Sequence, residues 1–345
     1  MKRSVIYLSI GSVILLLFVV SSICFAQANT WTKKADMPTP RSGISSDVSN
    51  GKILVAGGMQ MNNGNFISIS TVEEYDPKSD IWTKKADIPT ARDTMAVSVV
   101  NGKLYVIGGA FGCDEPTPLV EEYDPLTDKW TKKANMPVAK LGSSASVVDG
   151  KIYIIGGAIG PGQDCMWWSG VSTVEEYDPV TDKWTSKSNM PTARAFLSTS
   201  AVNGKIYAIG GFSNGLFSTV EEYDPITDKW TKKKDMPTKR CNFASATVNG
   251  RIYAIGGEAG DFTSILEEYD PIKDEWTKKA NMPTARSKIA CSAVNGKLYV
   301  IGGYTDKSPA LSVVEAYDTG FSDVTTSVKA EGKMPLTWAE IKTRY

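Results

Sequence analysis

Six cations recur at one place in this chain: Arg41, Arg92, Lys140, Arg194, Arg240 and Arg286, each closing a Pro-x-x-cation segment. Clustered guanidinium groups suit a carboxylate or another anion, which each can grip with two parallel N–H bonds. The competing use is structural, with each cation bonding carbonyls of a neighbouring segment or pairing with an acid. Lys140 fits a planar bonding pattern less well, which favours the ligand reading. A second set is aromatic. Trp167 and Trp168 lie in the insert Ala158–Gly170, and Phe66, Phe111, Phe212, Phe217, Phe262 and Tyr304 occupy equivalent stretches. Paired Trp side chains can stack on sugar rings or anchor a protein partner; the alternative is a loop that folds its own Trp pair over the surface. The isolated acids Asp114, Glu115, Asp164, Glu258, Asp261 and Asp306 could in principle split a glycoside. Against catalysis, the chain has no His. That removes the usual general base, the Ser-His and Cys-His pairs and imidazole metal ligands. No Cys-x-x-Cys occurs, so neither a metal nor another cofactor is expected.

The elements that hold these residues are repeats. Gly-Gly closes a β-branched run at Gly57, Gly108, Gly156, Gly210, Gly256 and Gly302, counted by the first Gly. Tyr-Asp follows, from Tyr75 to Tyr317, and a Trp follows five of these pairs (Trp82, Trp130, Trp184, Trp230, Trp276), while Trp31 opens the series. Trp to the next Gly-Gly is always 26 residues and Tyr to Trp always 7, whereas Gly-Gly to Tyr runs from 13 to 21. One segment alone is free to vary. Repeats of this period read as stacked units that bury their apolar faces against one another. Asn-Gly or Asp-Gly before each Gly-Gly run predicts a tight type I′ hairpin, with strands at 92–100 and 103–107 in the second unit. Val-Glu-Glu-Tyr-Asp reads as a third strand, Asp-Pro-x-x-Asp as a turn, and Trp-Thr-Lys-Lys as a fourth strand.

These marks, with Met-Pro-Thr-x-Arg, resemble the kelch repeat family over residues 31 to 318. The resemblance implies an all-β fold: a six-bladed β-propeller of four-stranded antiparallel blades around a central channel. Trp31 belongs to a fourth strand that has no third strand before it, and Tyr317 ends a third strand with Val324 where its Trp should stand. The N-terminal strand 31–36 is therefore expected to complete the last blade. The resemblance also implies that arginines at the connection step help form the ligand pocket. Copper-radical oxidases of the group need His, and no catalytic set matching the secreted kelch epimerases of sialic acid is found.

Residues 1–28 read as a signal peptide: Lys2 and Arg3, an apolar run from Val5 to Ala26, and Ala26-Gln27-Ala28 before the cut. The propeller takes 29–318, and 319–345 is a tail of unassigned role. Membrane attachment is expected only if the N-terminal segment stays uncut. Of 38 basic residues, loss of Lys2 and Arg3 leaves 36 against 38 acidic, a net charge of −2, which argues against nucleic acid as a partner. In an oxidising compartment Cys113 and Cys165 form a candidate disulfide; Cys241 and Cys291 are expected as buried thiols on inner strands. Lysines on the outer strands, such as Lys84-Lys85, protect exposed edges and face the Glu-Glu pairs across the sheet.

Strand parity places the variable loops and the Pro-x-x-cation connections on one face. The expected function is that of a secreted, monomeric binding module that takes a protein or glycan ligand on that face, anionic if the cations contact it. The alternatives are an extracellular carbohydrate-active enzyme and a structural surface module.

Overall fold

A computed structural model describes residues 28–111, 115–160 and 169–321. Six four-stranded antiparallel sheets follow one another in a ring. In blade I the strands are Ser45–Ser49, Lys52–Ala56, Val72–Asp76 and Ile81–Lys85, counted outward from the channel. Blades II to V repeat the pattern, beginning at Ala96–Val100, Ser144–Val148, Ser198–Val202 and Ala244–Val248. Blade VI holds Ala290–Val294, Lys297–Ile301 and Val314–Asp318, and its outer strand is Thr30–Lys33 from the other end of the chain. The expected closure is present, with the strand starting one residue earlier than 31 and ending three residues before 36.

Local chemistry explains the blade. All six Asn-Gly or Asp-Gly hairpins have both central residues at positive φ, for example Asn101 at 51° and Gly102 at 78°, as a type I′ turn requires. The buried Tyr of each third strand donates its hydroxyl to an Asp at the following turn, as Tyr75 does to Asp80 at 2.5 Å and Tyr223 to Asp228 at 2.7 Å. In blade VI that acceptor is Asn29, 2.9 Å from Tyr317, supplied by the N-terminal segment. Each outer-strand Trp stacks on this Tyr with ring centres near 5.0 Å apart and donates Nε1 to a carbonyl of the preceding blade, Trp82 to Ala35 and Trp31 to Ala280. The Trp is thus a seam between blades, half-buried rather than enclosed. Apolar clusters fill every such seam: Ile53, Val55 and Tyr75 of blade I meet Tyr299 and Ile301 of blade VI.

Two expectations change here. The inner strand of blade II starts at Ala96 and not at 92, because residues 92–95 carry the connection described below. The Glu-Glu pairs are also divided. Only the second Glu meets the lysines of the neighbouring strands, as Glu74 does with Lys52 and Lys85; the first is buried and serves the cation of the connection.

Candidate functional site

The six repeated cations do not ring the channel mouth. Arg41, Arg92, Lys140, Arg194, Arg240 and Arg286 are all 0% exposed. Arg194 donates to Thr219 O at 2.8 Å, Ala208 O at 3.0 Å and Glu221 Oε2 at 2.9 Å. Arg240 and Arg286 make the same three bonds, ending on Glu267 and Glu315, and Arg41 and Arg92 do so on Glu73 and Glu121. A guanidinium moved out of water must be compensated nearby, and here a carboxylate and two carbonyls do it. Burial pulls the pKa of Arg41, Arg92, Arg194 and Arg240 down to about 10, against the opposing pull of the paired Glu. Each cation clamps its own blade from within and touches no solvent. Lys140 occupies the same slot with one partner, Glu175. Its lysine is a lesser clamp and not a sign of ligand contact.

Two residues after each clamp cation, the chain turns left-handed. Gly43, Thr94, Gly142, Phe196, Asn242 and Lys288 have φ between 50° and 60°. The N–H of each donates to the carbonyl of its counterpart in the preceding blade: Thr94 to Gly43, Gly142 to Thr94, Phe196 to Gly142, Asn242 to Phe196, Lys288 to Asn242, and Gly43 back to Lys288, at 2.7–3.0 Å. Six backbone bonds close a loop around the channel at the face bearing the variable loops. Left-handed φ is costly for β-branched or bulky residues, and Thr94, Phe196 and Lys288 hold it nonetheless. Such strain concentrates at functional sites. Below the ring, the inner strands line a channel open to solvent, its wall mixing small hydroxylated residues such as Ser45, Ser46, Ser144 and Thr199 with apolar ones such as Met95, Leu197 and Ile289. Cys291 lies in this wall, half-buried, and Cys241 lies just before its inner strand and not on it. Burial pushes both thiols up to about 12, which leaves them poor nucleophiles.

The rim is not six-fold. Through blades II to IV it is apolar, where Ala110, Leu141, Ala158 and Ala195 gather with Phe196. Around blades V, VI and I it is polar and aromatic. Glu258 Oε1 accepts from Ser287 Oγ at 2.8 Å and Asn242 Nδ2 at 3.3 Å, and among the described residues nothing donates to its other oxygen. Lys288 Nζ stands 5.8 Å from the centre of the Tyr304 ring, a cation–π placement, and no carboxylate of the described residues pairs with it. Phe262 meets Tyr304 edge-on at 5.2 Å, and Phe66 approaches from blade I at 6.4 Å. An unpaired ammonium and a half-used carboxylate thus stand over an aromatic floor, ready to bind an anion and a hydrogen-bond donor respectively. Three of the six loop aromatics, Phe66, Phe262 and Tyr304, come together here. Trp167, Trp168, Cys113 and Cys165 lie outside the described residues.

The fold and the site can now be set beside known proteins. The model of the KLHDC2/KLHL20/DRC7 Kelch-repeats domain matches residues 85–257 and 134–303, and the Kelch motif matches 40–89 and 285–322. The chain belongs to the kelch-repeat family. The F-box/kelch-repeat protein At1g67480 of Arabidopsis thaliana is 37% identical over 179 residues, 52% of this chain and 33% of that protein. Beta-scruin of Limulus polyphemus is 28% identical over 185 residues, 53% of this chain and 14% of scruin. The chain thus matches a third or less of the length of these curated kelch relatives. In fold, the structure of YjhT superposes with a TM-score of 0.70 at 18% identity, covering 81% of this chain and 95% of that one.

Sequence reading missed Asn242, Ser287 and Lys288. A signal was present: the residue two places past each clamp is Gly, Thr, Gly, Phe, Asn and Lys in turn, and a position that ignores an otherwise strict repeat is a candidate for specificity.

Proposed function

We propose that this kelch propeller is an exported binding module that holds a protein or glycan partner on its variable-loop face, at the sector formed by blades V, VI and I. One observation carries the reading: an ammonium that no described carboxylate pairs with, Lys288, and a carboxylate with one oxygen unused among the described residues, Glu258, fall together there, beside Tyr304, Phe262 and Phe66. Variable loops on a rigid scaffold are where recognition residues concentrate, and aromatic side chains near an unpaired charge make strong anchors. The Val5–Ala26 run and the Ala26-Gln27-Ala28 site support export. The reading needs no catalytic group.

The test is a glycan and acidic-peptide array probed with the purified chain at low and high salt. A hit weakened by salt is expected, since screening acts on an exposed charge such as Lys288. Lys288→Ala and Tyr304→Ala should each weaken that hit about tenfold. Binding indifferent to both substitutions would reject this sector. N-terminal sequencing of the chain recovered outside the cytoplasm checks export; a start at Asn29 is expected.

A further inference from the structure

In blade I the variable loop forms something the other described loops do not. Met59–Asn62 and Asn65–Ser68 pair as an antiparallel ribbon of their own, with Met61 opposite Phe66 and Asn62 opposite Asn65. The turn between them, Asn63 and Gly64, has φ 49° and 82°, a two-residue type I′ hairpin. In that geometry the residues flanking the turn bond to each other, and the next pair does not. Met61 and Phe66 therefore direct their backbone N–H and C=O outward, one on each edge of the ribbon, and among the described residues no other segment bonds to them.

An open edge is ordinarily guarded by charge, and this protein follows the rule at all six outer strands, which carry Lys33, Lys84, Lys132, Lys187, Lys232 and Lys278. The ribbon breaks it. From Met59 to Thr71 there is not one Lys, Arg, Asp or Glu, and Met61 and Ile67 are 45% and 40% exposed. Its base is fixed: Met59 and Ser42 exchange two backbone bonds at 2.7 and 3.1 Å, and Ser68 Oγ donates to Asp93 at 2.6 Å. Phe66 leans on Tyr304 of the candidate site.

We infer that this ribbon takes an extended segment of a partner protein by strand addition, the segment pairing its backbone with the edge at Phe66 or Met61 and setting alternate side chains beside the Tyr304 and Lys288 sector. Only a polypeptide offers alternating N–H and C=O at the spacing these edge groups require, which selects protein over glycan. The absence of charge on the ribbon fits a segment whose edge-facing side chains are apolar or neutral. This rests on the reading of the variable-loop face as the binding face and narrows it to one class of partner.

The experiment pans a phage-displayed library of random linear peptides on the whole purified chain, then titrates the recovered peptides, made synthetically, against variants. Proline at an outward-facing position removes an edge N–H and leaves the ribbon's own bonds in place. Peptides are expected to bind the wild type and to lose about tenfold or more in affinity with Phe66→Pro or Met61→Pro beyond the loss with Phe66→Ala or Met61→Ala. Ile67→Lys, a guard charge on an exposed residue, should weaken them with the thermal midpoint unchanged. Recovery of no peptide overturns the inference. So do peptides that lose affinity with Lys288→Ala but treat the proline and alanine variants alike, an outcome that leaves the binding face standing. A concentration-dependent dimer in sedimentation velocity, abolished by Ile67→Lys, overturns it in favour of a second copy of this chain.

Discussion

Exchanging the clamp residues of blades III and IV tests the account of the buried cations. Arg194→Lys keeps a cation beside Glu221 and forfeits the two carbonyl bonds, to Thr219 O and Ala208 O. Bonds from a charged donor contribute about 1.5 kcal/mol each, so the loss is about 3 kcal/mol. An unfolding entropy near 2.1 cal/mol/K per residue gives, for the propeller at 29–318, roughly 0.6 kcal/mol/K. The thermal midpoint should therefore fall by about 5 °C. Lys140→Arg is the reverse. Thr173 O and Ile154 O stand where the other blades offer their carbonyls, and a guanidinium placed there should raise the midpoint by roughly 2–5 °C. Calorimetry and guanidinium unfolding of both variants give the two shifts, with the denaturant slope unchanged if the native fold is intact. A Lys140→Arg midpoint at or below that of the wild type would refute the clamp, because it would mean that this slot does not reward a planar donor.

Thr94 holds φ 50°, and its buried hydroxyl has no partner; Thr94→Gly should raise stability by about 1 kcal/mol, and an unchanged or lower denaturant midpoint would mean the strain is absent. Asp47 faces the channel and accepts from the N–H of Val48 and Val99 at 2.7 and 2.6 Å, yet burial outweighs both bonds and lifts its pKa to about 6 from the usual 3.8. The folded form then binds the proton more tightly than the unfolded chain, so this group's contribution is fully present below about pH 4 and is lost as pH rises to 6. Asp47→Ser should remove that decline, and parallel midpoint–pH curves for the two proteins would contradict it. Deleting 29–37 removes the outer strand of blade VI together with the Asn29–Tyr317 and Trp31–Ala280 bonds; cooperative unfolding should be lost, and a normal calorimetric transition would show that the ring does not need its closure.

The sequence announced its fold because the announcing features are local. An Asn-Gly pair sets its own turn, a Tyr seven residues before a Trp pairs with it across one hairpin, and both repeat. The clamp was misjudged for the opposite reason. Arg194 lies in a connection and Glu221 in a third strand, brought together by a pairing that no spacing rule reveals, and the run Glu221-Glu222 looks the same whether its first member points inward or to solvent. The site was half legible: Phe66, Phe262 and Tyr304 stood out as aromatic loop residues, but their meeting depends on the ring bringing the first blade beside the last. Lys288 and Asn242 were hidden in a stretch read as strand.

The closed loop of left-handed residues at the channel mouth separates writing from architecture. At Gly43, Thr94, Gly142, Phe196, Asn242 and Lys288 the main chain is wholly committed to its neighbours, so the ring asks nothing of the side chain beyond room, and room is short at Gly43, against Met59, and at Gly142, against Phe196. The mouth then works as a dial of six fixed bearings, on which Thr94, Asn242 and Lys288 carry letters that the backbone bonds do not dictate. A change of letter there alters what the protein meets while the backbone ring keeps its bonds, and a lineage can explore new partners at such positions while the body of the molecule stays as it was.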